Sequence, residues 1–200
     1  MVFDFLQPIS DELVSYIASL SSQTLGKKAV FNTSTDFPNL ENIDVAILTV
    51  NEYRGNLEPN TTAEDFLNFR KSFYAMFPGN WNVAIADLGT IQAGESVEDT
   101  YFLVKTVSED LLRKHIIPII IGGSQDLTYA MYRAYDTLDQ LVNLTSIDSR
   151  FDFSKENNAS NQSFLSKIII DEPNNLFNFC NIGFQTYYNS QEEIDLIEKL

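Results

Sequence analysis

Two hundred residues that are 44% hydrophobic, with fifteen Phe and nine Tyr, suffice for one α/β domain with a substantial core and exclude a disordered chain. A formal net charge of −15 repels nucleic acid and anionic membrane surfaces, so neither is expected as a partner. One cysteine, Cys180, excludes an intrachain disulfide framework, and no apolar run approaches the ~18 residues of a membrane span.

The N-terminus lacks a basic segment followed by an apolar one, so a soluble chain of a reducing, cytoplasmic compartment is expected. Residues 10–20 read as a helix, with Leu13, Ile17 and Leu20 on one side. A short apolar run over 43–50 has strand length. Thr61 or Thr62 then caps a helix, each with an acid three residues on (Glu64, Asp65). Phe66, Phe69, Phe73 and Phe77 follow at helical spacing as a core stripe, and Pro78-Gly79 ends it. Residues 82–87 form the next strand, closed by the turn Asp87-Leu88-Gly89. A long amphipathic helix covers 94–114. His115, the only histidine, follows it as a surface residue.

Residues 116–121 are apolar on every side, as a central parallel strand covered on both faces should be. Pro118 is awkward there, because it removes a ladder donor. Helix is expected over 127–138, strand over 142–148, a polar loop over 154–163, helix over 164–171 and strand over 179–184, with Cys180 a buried thiol. Ser190 and Glu193 make a capping box for a last helix carrying Ile194, Ile197 and Leu200. Alternating strands and helices imply a mainly parallel sheet in one domain over 1–200. The last helix ends without a C-cap glycine or polar tail, so the chain is expected to stop inside its domain.

Two strand ends carry the chemistry. The first is the Gly122-Gly123-Ser124-Gln125-Asp126 turn, and the second is Asp148-Ser149-Arg150-Phe151-Asp152. Together they resemble the arginase/agmatinase/formiminoglutamase (ureohydrolase) family, whose motifs there read Gly-Gly-Asp-His-Ser and Asp-Ala-His-x-Asp. The resemblance implies a three-layer α/β/α fold with a mainly parallel sheet. It also implies a pair of manganese ions that depress the pKa of water, giving hydroxide for C–N hydrolysis of amidines. Carried over residue by residue, Ser124 stands where the family motif has its aspartate, and Gln125 where it has its metal-binding histidine. Asp148 and Asp152 are kept as remnant metal ligands, with Asp126 beside the site. Arg150 replaces the histidine between them, and a guanidinium cannot donate a lone pair to a metal.

Residues 148, 150 and 152 are expected on one side of an extended strand end, with Arg150 the counter-charge for both carboxylates. No cofactor is therefore expected. The implied function is a catalytically inactive ureohydrolase-fold protein of formiminoglutamase-like character, binding or regulating an unknown protein or small molecule. The alternative is an active hydrolase, with Mn²⁺, that completes its site beyond this segment. Homo-oligomers are common in the family, which makes one the implied assembly.

Overall fold

The computed structural model describes residues 2–57, 66–138, 140–155 and 159–199. They cluster into two compact units, one of Met1–Glu52 with Thr62–Gly123, the other of Tyr53–Thr61 with Ser124–Leu200.

The first unit holds strands β1 (Leu6–Gln7), β2 (Val30–Phe31), β3 (Val45–Asn51), β4 (Ile85–Gln92) and β5 (Ile117–Ile121). Its helices are α1 (Asp11–Ser19), α2 (Leu25–Lys28), α3 (Phe66–Ala75) and α4 (Val97–Arg113). The sheet order is β1-β4-β3-β5, with β2 also on β4; β1 is antiparallel and the other pairings are parallel. Apolar β3 is buried almost throughout, as a strand covered on both faces requires.

Strand β4 runs through Asp87-Leu88-Gly89 and does not end there. Gly89 allows this at a φ of 90°, where a Cβ would lie 1.9 Å from the Gln7 carbonyl oxygen. Only a glycine lets β1 approach so closely. The caps expected at Thr61 or Thr62 lie outside the described residues. In α3 the aromatic stripe is not the buried face: Phe66, Phe69 and Phe73 are half-buried and Phe77 is exposed. Arg70 and Tyr74 are buried instead, because both serve a buried carboxylate, Asp87.

Helix α4 opens on a capping box, Ser96 with Asp99, and buries Val104, Val107 and Leu111. His115 is exposed after it, at a φ of 60°. Strand β5 stands at the end of the first unit's sheet order. Among the described residues it pairs only with β3, and Ile117 and Ile119 are 62% and 42% exposed. An edge strand tolerates Pro118, whose missing donor would disrupt a two-sided ladder.

The second unit holds a parallel pair, β6 (Val142–Ile147) and β7 (Leu176–Ile182). Helices α5 (Leu127–Arg133), α6 (Phe164–Ile170) and α7 (Gln191–Ile197) accompany it. Its core is Tyr132, Phe151, Phe153, Phe164, Leu165 and Ile168, against which Leu144, Leu176 and Phe179 pack. Burying each such side chain stabilises the fold by about 1.5–3 kcal/mol. The expected capping box is present, Ser190 and Glu193 bonding reciprocally. Cys180 is exposed, contrary to expectation, because strand alternation turns it away from the core that Phe179 faces. The class is α/β with mainly parallel strands, as the sequence implies. No helix among the described residues is long and apolar enough to cross a membrane.

Candidate functional site

Ser124, Gln125, Asp126, Asp148, Arg150 and Asp152 lie in the second unit, around the start of α5 and the end of β6. Gly122 and Gly123 take left-handed φ values of 79° and 77°. This conformation lets β5 break sharply ahead of Ser124. Ser124 is buried, Gln125 is exposed and Asp126 is fully buried. The Asp126 carboxylate lies against Gly55, where a Cβ would come within 2.3 Å of its oxygens. The segment around Gly55 is held by Asn161, which donates its backbone N–H to the Gly55 carbonyl (2.9 Å) and its amide to Asn56 (2.9 Å).

Asp148 joins the two motifs. Its Oδ2 accepts a hydrogen bond from Gln125 Nε2 at 2.8 Å, and its Oδ1 accepts one from the Arg150 backbone N–H at 2.9 Å. Arg150 is pinned through its backbone, its carbonyl accepting from Asn181 Nδ2 at 2.8 Å. Its guanidinium lies over the Tyr188 ring, 5.9 Å from the centroid. Among the described residues it forms no ion pair with Asp148 or Asp152.

The strict alternation expected over 148–152 is not kept. Strand β6 ends at Ile147, and Asp152 adopts a φ of 54°, in the left-handed region. Asp152 is 3% exposed, and its Oδ2 has no hydrogen-bond partner among the described residues. Burial pushes its carboxyl up to about 7, and the Asp148 charge adds to that rise. Arg150 opposes it through longer-range attraction, and Glu193 raises it further. The arrangement therefore offers one solvated carboxylate already bonded, one buried carboxyl near half-ionisation at neutral pH, and one immobilised cation.

Asn189 gave no signal in the sequence beyond a common turn residue, yet it ties the site together. It is buried; its Oδ1 accepts from Phe151 N (2.8 Å), and its Nδ2 donates to the carbonyls of Ser149 (3.0 Å) and Gln185 (2.8 Å). Gln185 N donates to Ser149 O at 2.9 Å, so the loops after β6 and β7 are stitched side by side. Phe151 and Phe184 stack across the same seam, 4.9 Å between centroids.

Asp87, at a strand end in the sequence reading, belongs to a different structure. It is wholly buried in the first unit, where it accepts from Arg70 Nε (2.8 Å) and Nη2 (2.9 Å), Tyr74 OH (2.7 Å) and Gly89 N (2.9 Å). Every carboxylate oxygen is satisfied, which is what makes such burial tolerable. Apolar periodicity in the sequence carries no signal for Arg70 or Tyr74 as partners of Asp87.

Among the described residues, no group of three or more His, Cys, Asp or Glu side chains could hold a metal ion. The arginase family model matches residues 59–200. No curated protein matches significantly. Among solved structures, the chain is similar to formimidoylglutamase from Bacillus subtilis at 14% identity and a TM-score of 0.70, over 82% of this chain and 55% of that one. Formiminoglutamase from Trypanosoma cruzi with Mn²⁺ is 15% identical with a TM-score of 0.70, over 82% and 60% respectively. Arginase from Medicago truncatula is 15% identical with a TM-score of 0.62, over 79% and 54%. The chain therefore spans little more than half the length of these relatives, and at such identities the likeness shows the fold.

Proposed function

The chain belongs to the arginase family, and from that premise we propose that it has lost the dinuclear manganese centre and acts without catalysis, as a binding or regulatory protein. One observation carries this reading: the position between the two kept aspartates is Arg150, a permanent cation anchored by its backbone on both sides. The remaining donors do not fit a manganese pair. Two such ions ask for several carboxylates with imidazole nitrogens. Here Asp148 is engaged by Gln125 and by its own loop, Asp152 is buried with an unpartnered Oδ2, and Ser124 and Gln125 are neutral. Arg150 offsets part of the carboxylate charge from a distance, as its effect on Asp152 indicates.

The family's metals supply hydroxide near neutral pH. Without them, this cluster offers a buried carboxyl at Asp152 and a hydrogen-bonded carboxylate at Asp148, and neither group generates a nucleophile. The competing reading is an active amidine hydrolase that completes its site with further residues. It draws support from the chain spanning 54–60% of the three relatives above. Turnover of formiminoglutamate, arginine and agmatine by manganese-loaded protein separates the two. The expected result is no release of formamide or urea above background. Turnover that disappears in Asp148→Ala would establish the hydrolase.

A further inference from the structure

In the first unit, the starts of β3 and β4 border a recess of about 310 Å³. Strands β3, β4 and β5 run parallel, so the recess lies at the opposite end of them from the Gly122-Gly123 turn. Its size falls at the lower end of small-ligand pockets, ~300–1,000 Å³. Leu25 and Ile85 give it apolar surface, while Lys28, Asn42, Asp44, Trp81 and Asn82 bring polar groups. Lys28, Asn42 and Asp44 precede residue 59, so the family match does not extend to that half of the lining.

Backbone bonds hold this frame. Asp44 N donates to the Ala84 carbonyl (2.9 Å), and Ala84 N donates to Asp44 Oδ2 (2.8 Å). Leu25 N donates to the Met76 carbonyl (2.8 Å), which fixes α2 against the end of α3. Gly79, at a φ of 61°, turns the chain so that Trp81 N reaches the Pro78 carbonyl (3.3 Å). Trp81 is nonetheless 80% exposed. An indole kept in water on an anchored turn presents a flat apolar face and an N–H donor. Among the described residues, the side chains of Lys28, Asn42 and Asn82 have no hydrogen-bond partner, and Asp44 Oδ1 has none either.

Charge and donor chemistry select what fits. Lys28 opposes a cation, while Asp44 and the chain's net charge of −15 oppose an anion. An ammonium only donates, a carboxylate only accepts, and the two amides do both. A matching ligand is neutral, donates and accepts at several positions, and has an apolar face for the indole. A pyranose ring has all three properties. We propose that this recess binds a neutral hexose, its C–H face on Trp81 and its hydroxyls shared among Lys28, Asp44 and the two amides.

Trp81 is the only tryptophan, so its fluorescence reports on the site directly. Titration with glucose, galactose, mannose and N-acetylglucosamine is expected to give a saturable change for at least one, with a Kd of about 1 mM for so small a ligand. In ligand-observed saturation-transfer NMR, Trp81→Ala abolishes binding, and Asn82→Ala weakens it about tenfold. Both residues are exposed, so the fold tolerates either change. Tyr187→Ala, as exposed but in the second unit, leaves binding unchanged. The proposal is overturned by no saturable change with any of these sugars, or by binding that survives Trp81→Ala. Tighter binding of glucuronate, glucosamine or adenosine overturns it too. None of these outcomes bears on manganese at the strand-end cluster.

Discussion

Replacing Asp152 with Asn reports directly on how the charges of the strand-end cluster are held. Asp152 is 3% exposed with an orphan Oδ2, and its carboxyl is pushed from 3.8 up to about 7, first by burial and then by Asp148. A folded-state value above the unfolded one means that the folded chain holds this proton more tightly. The associated stability is full below about pH 4 and is lost as pH rises through about 7. At about 1.4 kcal/mol for each pH unit separating the two values, the loss is at most about 4 kcal/mol. Relaxation and water entry bring the expected figure to about 2–3 kcal/mol. Asp152→Asn keeps the side-chain shape, tolerates the left-handed backbone and does not titrate. In urea unfolding followed by circular dichroism, the variant should match the parent within about 1 kcal/mol at pH 4. At pH 8 it should exceed the parent by the amount just given. A variant less stable than the parent at pH 8 refutes the reasoning, because it means that the ionised carboxylate is stabilised by a bound cation or a close guanidinium.

The buried Arg70–Asp87 pair should behave as a unit. Arg70→Met strands a buried carboxylate and is expected to cost about 3–5 kcal/mol in thermal or urea unfolding. Adding Asp87→Leu should recover much of that loss, and a double variant as unstable as the single one contradicts the assignment. Asn189→Ala removes three hydrogen bonds across the loop seam and should cost about 2 kcal/mol, with faster hydrogen exchange at Phe151. Unchanged exchange there rules out the stitching role. Gly89→Ala sets a Cβ against the Gln7 carbonyl at a φ of 90° and should cost about 2 kcal/mol or more, read as a lowered Tm.

Much of the fold is legible in local patterning. Helix α7 follows from the Ser190–Glu193 capping box, α4 from its long apolar period, and the buried strand β3 from an uninterrupted apolar run. What escapes is set by partners distant in sequence. Arg70 carries no signal in apolar periodicity, and its burial follows from Asp87, seventeen positions away. The end of β4 is misread because Asp-Leu-Gly looks like a turn, while Gly89 lies where the β3–β4 register shifts and lets β1 approach closely. Cys180 looks buried from composition, yet its side of β7 faces away from the core. At the site, the residue types are readable and their placement is not. An extended strand end would align positions 148, 150 and 152, but the left-handed Asp152 breaks that alternation, and Tyr188 takes the Arg150 guanidinium.

We propose that this arginase-family chain holds its strand-end carboxylates without manganese. Equilibrium dialysis of metal-stripped protein against micromolar Mn²⁺, followed by elemental analysis, tests it most directly. The expected result is no manganese above the level retained by Asp148→Ala. Retention approaching two manganese ions per chain, lost in Asp148→Ala, would contradict it.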